Sequence, residues 1–172
     1  MSILSGYKRV CRRNIGGVSL IAVTGVQDIK TVTIEEGVVV SIETEKGFKE
    51  YQSSLDNAEF KVSSQEQSIT FRFNALEAKS SMAYNELLDA AACGLVALVQ
   101  MNNGAVALVG WSEEFEGRRP LMAIEADGTS GKAITDDNHL DVTLKTTQVT
   151  APLFLSDELA ETIDTLISVA EE

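Results

Sequence analysis

The chain has 172 residues, 44% of them hydrophobic, and a formal net charge of −12. That length suits one domain with a sizeable core, and the composition excludes a disordered chain. No window approaches eighteen continuous apolar residues, so no transmembrane helix is predicted.

The charge is unevenly spread. Residues 1–13 carry Lys8, Arg9, Arg12 and Arg13 and no acid, which leaves −16 on the rest. Residues 156–172 hold Asp157, Glu158, Glu161, Asp164, Glu171 and Glu172 without a base. Phosphate neutralisation needs clustered Lys and Arg, so sequence-specific nucleic-acid binding by the body is not expected. A basic arm and an acidic body are instead sign-complementary between copies, although two solvated termini would look the same.

Residues 1–17 read as a basic arm. KRVCRRN followed by IGGVSLIAVTGV has the look of a short secretory leader. Gly16, Gly17, Ser19, Thr24 and Gly25 interrupt it, however, and it continues into strand-like sequence near Ile29. Residues 18–29 are therefore predicted as a buried strand, with Gly25 a possible bulge. Residues 31–44 are β-branched and broken at Glu35-Glu36-Gly37, which predicts a hairpin. Residues 45–57 show no clean period and carry isolated Phe48, Tyr51 and Leu55, as a long loop or an exposed hairpin tip would.

In residues 67–77, Ile69, Phe71, Phe73 and Ala75 alternate with Thr70, Arg72 and Asn74, the pattern of a half-buried antiparallel strand. Residues 81–92 turn helical, with Ser80 or Ser81 as cap, Met82, Leu87, Leu88 and Ala91 as the buried face, and Gly94 as terminator. Residues 95–101 and 105–111 form a hairpin across Asn102-Asn103-Gly104. Residues 120–126 and 139–149 supply further strands. Residues 156–172 are predicted as an acidic amphipathic helix with Ser156 as N-cap and a stripe of Leu159, Ile163, Leu166 and Ala170. The whole reads as a β-rich α+β protein. A β-barrel or sandwich domain spans 18–155 and carries an inserted helix at 81–92, and a C-terminal helix follows.

Two cysteines are too few for a disulfide framework, and a cytoplasmic origin fits them. Cys93, in an apolar run, is expected to be a buried thiol. Cys11 sits among four cations that would lower its pKa. The single histidine, His139, has no nucleophile context for a triad, and no metal-ligand spacing appears. Asp127, Asp136, Asp137 and Asp141 could at most hold a cation weakly. GTSGKAIT at 128–135 looks like a phosphate loop but has Ala126 and Ala133 where Gly and Ser or Thr are required. Glu113, Glu114 and Glu116 beside Arg118 and Arg119 suggest solvated charges or an intersubunit salt-bridge set. No catalytic residue, cofactor or metal is expected, and the chain is not expected to be an enzyme.

Residues 58–155 carry a family resemblance. QSITFRFNALEAKSSMAYNELLDAAACG, then NNGAVALVGW, then DGTSGKAITDDNHLDVTL resembles, in order and character, the major tail (tail tube) proteins of phages of Bacteroidetes-type hosts. The resemblance implies a small β-barrel or sandwich forming hexameric rings that stack into a tube for DNA. It further implies virion localisation after synthesis in the host cytoplasm. Its partners would be copies of itself, other tail proteins and transiently passing DNA, without a membrane. The interface candidates are Lys8, Arg9, Arg12, Arg13, Phe48, Tyr51, Leu55, Arg118 and Arg119. The alternative is a virion decoration, head-completion, connector or adaptor module that binds without self-stacking; a small hydrolase is the third class.

Overall fold

The computed structural model of the chain describes residues 6–7, 16–51, 58–63, 65–115, 117–136 and 138–167. The described elements follow in chain order. First come β1 (Val18–Gly25), a 3-10 turn (Val26–Asp28), β2 (Ile29–Glu35), β3 (Val38–Thr44), β4 (Lys49–Glu50), β5 (Glu59–Ser63) and β6 (Glu66–Phe73). Helix α1 (Ala78–Ala91) precedes β7 (Leu95–Met101), β8 (Val106–Val109), β9 (Ala123–Thr129), β10 (His139–Thr147) and β11 (Leu153–Leu155). Helix α2 (Asp157–Glu161) and a second 3-10 turn (Ile163–Thr165) end the described chain.

The strands make a seven-stranded sheet, β2-β3-β11-β8-β7-β1-β4, and a four-stranded sheet, β5-β6-β10-β9. Pairing is antiparallel except between β11 and β3. The larger sheet curls into a half-barrel, and the fold is β-rich α+β.

The continuous apolar runs explain the layering. In β7, Leu95, Ala97 and Val99 face one cluster, shared with Ile69, Phe71, Leu140, Val142 and Leu144 of the smaller sheet and with Leu87 of α1. Val96 and Leu98 face the other cluster, with Phe48, Val39, Leu155, Ile163 and Leu166. A strand covered on both faces must be apolar at every position, which is why LVALV and VALV do not alternate. Strands β6 and β10 cover one face only and do alternate, with Ile69, Phe71, Phe73, Leu140, Val142 and Leu144 inward. Each fully buried side chain of this size contributes about 1.5–3 kcal/mol.

Several expected elements take a different form. Residues 18–29 split into β1, the 3-10 turn and the first residue of β2, and the register shift of β1 falls between Val18 and Leu20, not at Gly25. Phe48 does not lie on an exposed tip. It is fully buried in the second cluster, and Lys49-Glu50 pairs with β1. Residues 120–126 divide between the sheets. Leu121 exchanges both backbone hydrogen bonds with Leu95 (2.8 and 3.0 Å), and the strand proper starts at Ala123.

Helix α1 starts at Ala78, where the Oγ of Ser80 accepts from the Glu77 N–H at 3.0 Å. Its buried phase runs through Ser80, Leu87 and Ala91. At 100° per residue Met82 falls on the opposite side, and Met82 (65% exposed) and Leu88 (43%) face out. Cys93 is likewise exposed, not buried. Gly94 ends the helix as expected, at φ +104°.

The C-terminal helix is much shorter than expected. The Ser156 Oγ accepts from the Leu159 N–H, as an N-cap should. The helix then stops at Glu161. The Thr162 hydroxyl donates to the carbonyls of Glu158 and Leu159 (3.3 and 3.2 Å), and its backbone lies at φ −105°, ψ +24°. Such back-bonding and β-branching at Thr162, Ile163 and Thr165 disfavour further helix. Ile163 and Leu166 of the expected stripe still reach the core, while Ala170 lies outside the described residues.

Candidate functional site

The loop that looks like a phosphate cradle is filled by the chain's own anion. Strand β9 runs to Thr129, and between it and β10 the Asp136 carboxylate accepts from the backbone N–H groups of Lys132 and Ala133 (3.0 and 2.9 Å). Those two bonds hold its pKa below the ordinary aspartate value. Residues 130–136 are thus a closed turn in which Gly131 supplies a φ of +79°.

The other candidates for chemistry disperse. Arg72 holds Asp141 in a bidentate pair, Nε–Oδ1 2.6 Å and Nη2–Oδ2 3.1 Å. The Nε2 of His139 stands 3.7 Å from the same carboxylate, and its Nδ1 is buried with no partner. Asp127 stands directly opposite Asp141 across the β9–β10 ladder, and Asp137 is outside the described residues. No group of three or more His, Cys, Asp or Glu among the described residues is arranged so that it could hold a metal ion.

Arg118 and Arg119 end in a more structured setting than the sequence indicates. Following Trp111, the Ser112 Oγ accepts from the Phe115 N–H at 3.1 Å and so presents the Phe115 ring. Both guanidinium groups lie over that ring, at 5.8 Å for Arg118 and 4.9 Å for Arg119. Arg118 donates to the backbone carbonyls of Phe115 and Glu114 (3.1 and 2.9 Å). Neither arginine has a carboxylate within 4.0 Å among the described residues. Glu116 is outside those residues.

The Arg119 carbonyl is pinned from below by the Gln148 Nε2 (2.6 Å) and the Thr146 Oγ1 (3.0 Å). Together with Glu66, Met122 and Lys145, the two arginines line an open groove of about 520 Å³ at one end of the four-stranded sheet. Phe115, Met122 and Lys145 were not singled out in the sequence. The signal was the FEGRRP run: an aromatic ahead of two arginines, after a turn.

Sheet edges are the second candidate surface. Among the described residues strand β2 pairs with β3 on one side only, and β5 and β9 end the smaller sheet. Within β2, the central Thr31-Val32-Thr33-Ile34 is β-branched and free of Pro, and the charges Lys30 and Glu35 stand near its ends. No protein-family profile, curated protein or solved structure matches the chain.

Among the predicted interface residues, Arg118 and Arg119 are exposed at the groove and Tyr51 is half-buried. Phe48 is enclosed in the core, so its side chain presents no surface to a partner. Lys8, Arg9, Arg12, Arg13 and Leu55, like Cys11, lie outside the described residues. No helix among the described residues is long and apolar enough to cross a membrane.

Proposed function

We propose that this chain is a structural subunit that assembles with copies of itself, of the kind that builds a phage tail tube from stacked rings. The observation that carries the reading is the seven-residue β2 edge, whose β-branched centre is hydrogen-bonded on one side only among the described residues. Such an edge templates pairing with another chain unless it is covered. Pairing it with a different edge of the next copy is a heterologous contact, which closes into a ring when the rotation between copies divides a full turn. Joined in that way, the sheets of successive subunits would become one continuous wall. The charge of −12 suits a conduit, because an acidic lumen repels phosphate and lets DNA pass without adhering.

Negative-stain images and native mass, taken across a concentration series of the full chain, test this. Rings or tubes are the expected outcome. A monodisperse monomer at the highest concentration overturns the proposal.

A further inference from the structure

The proposed self-assembly leaves open which surfaces meet, and two features of the chain fit one another. The first is the arginine groove. Its lining carries Arg118, Arg119 and Lys145 against Glu66, and Lys145 also has Glu125 at 3.6 Å. The arginines have no carboxylate partner among the described residues, yet they are held in place by the Phe115 ring and, for Arg118, by two backbone carbonyls. Pre-positioned guanidinium groups lose little freedom on meeting a carboxylate, and their planar fork accommodates one bidentately. Met122, 53% exposed, adds an apolar wall.

The second feature is the tip of the β2–β3 hairpin. Glu35 pairs with Val38, so Glu36 and Gly37 form a two-residue turn with both φ values positive, +52° and +82°. Asn or Gly is the relaxed choice for the first turn position. Glu36 is the single non-glycine residue at positive φ among the described residues. Glu35 and Glu36 are both exposed, and neither has a cation within 4.0 Å among the described residues. Beside them Val38 is 38% exposed. The tip thus offers two carboxylates and one apolar side chain, and the groove offers two guanidinium groups and one apolar side chain.

We infer that the Glu35-Glu36 hairpin tip of one copy docks into the Arg118–Arg119 groove of the next. The inference rests on the self-assembly reading and supplies its contact. A single hairpin tip buries too little surface to hold a dimer by itself. It acts alongside the edge contacts, fixing register and direction through charge. Because tip and groove are different surfaces, the contact is head-to-tail, as a ring requires.

Charge reversal tests it on the full-length chain, with circular dichroism confirming the fold and native mass and micrographs reading assembly. Glu35→Lys with Glu36→Lys, and separately Arg118→Glu with Arg119→Glu, should each raise the concentration at which assemblies appear by about tenfold or more, since like charges then face one another. Combining all four changes should restore assembly to within about threefold of the unaltered protein, because the attraction is re-formed with signs exchanged. Glu36→Asn provides a variant expected to keep the fold, because Asn suits the positive φ at this turn position. It should raise the monomer's thermal stability by relaxing the turn while weakening assembly. If the unaltered chain assembles and these variants assemble equally well, the docking is wrong and the self-assembly reading stands. If the unaltered chain never assembles, both fall.

Discussion

The Phe48 N–H donates to the Leu166 carbonyl at 2.8 Å, and Phe48 forms a parallel bridge with Ile167. This contact ties the segment after β3 to the chain's last described turn. The Phe48 ring is fully buried in the cluster that Val96, Leu98, Ile163 and Leu166 share. The turn beyond α2 is therefore held by a residue more than a hundred positions earlier. Phe48→Ala should cost about 3–5 kcal/mol through the lost transfer energy and the cavity left behind. Urea unfolding measures this. A loss below about 1 kcal/mol, typical of a surface substitution, would contradict the burial.

What the sequence disclosed depended on how much of an element's environment was local. Strand β6 was legible because one face is buried and one wet, so Ile69, Phe71 and Phe73 alternate with Thr70 and Arg72. The turn at Asn103-Gly104 was legible because its chemistry is self-contained: the Ala105 N–H donates to the Asn103 Oδ1, and Gly104 takes φ +93°. Phe48 was not, because its burial is supplied by Leu166 and by strands distant in the chain. Strand β5 was overlooked although Phe60 and Val62 alternate with Glu59, Lys61 and Ser63; the run is short and its outer positions are exposed. Of the groove, Arg118 and Arg119 could be named from the sequence. Lys145 and Glu66 could not, because they arrive only through the pairing of β10 with β6.

Gly94 lies at the turn between α1 and the doubly buried β7. A Cβ placed there would lie 2.3 Å from the Pro120 Cγ and 2.8 Å from its Cβ, and φ is +104°. The proline ring is rigid, so neither partner can yield cheaply. Gly94→Ala should destabilise by about 2 kcal/mol or more, combining a disfavoured backbone with a steric clash. Thermal unfolding measures it, with Gly104→Ala as a comparison. Gly104 has no neighbour within 4 Å of the added carbon, so only the backbone component remains there.

Cys93 is exposed just beyond the last turn of α1, despite its apolar sequence surroundings. An aromatic disulfide reagent should therefore modify it in the folded protein without waiting for unfolding. In a Cys11→Ser background, the native-state rate should fall within about tenfold of that of a short peptide thiol. A rate that tracks global unfolding in added urea would instead place Cys93 in the core.

Tyr51 gives the alkaline limb of stability a specific origin. Burial raises its pKa above the ordinary 10.0, and the Glu86 carboxylate adds to the shift. The unfolded chain ionises this phenol more readily than the folded one does. Its contribution is therefore complete below about pH 10 and is lost as pH rises through the folded value. Tyr51→Phe has no proton to lose, so its stability should fall less between about pH 9 and pH 11 than that of the unaltered chain. Denaturant midpoints at several pH values measure the difference. Parallel pH profiles for the two proteins would remove Tyr51 from the account.

The β9–β10 turn should respond to acid through Asp136, whose folded pKa is lowered by the bonds from the Ala133 and Lys132 N–H groups. A lowered carboxylate contributes above its unfolded pKa and loses that contribution as pH falls through its folded value. The side chain is fully exposed, so solvent screening confines the effect to the turn. The amide proton shifts of Lys132 and Ala133 should therefore titrate together, with a midpoint below that of an ordinary aspartate. Asp136→Ala should abolish that titration and loosen residues 130–136, while the β10–β6 ladder from Leu140 to Thr147 keeps its hydrogen-exchange protection. Amides that titrate at the ordinary value, or that keep their low midpoint in Asp136→Ala, would show that another group closes the turn.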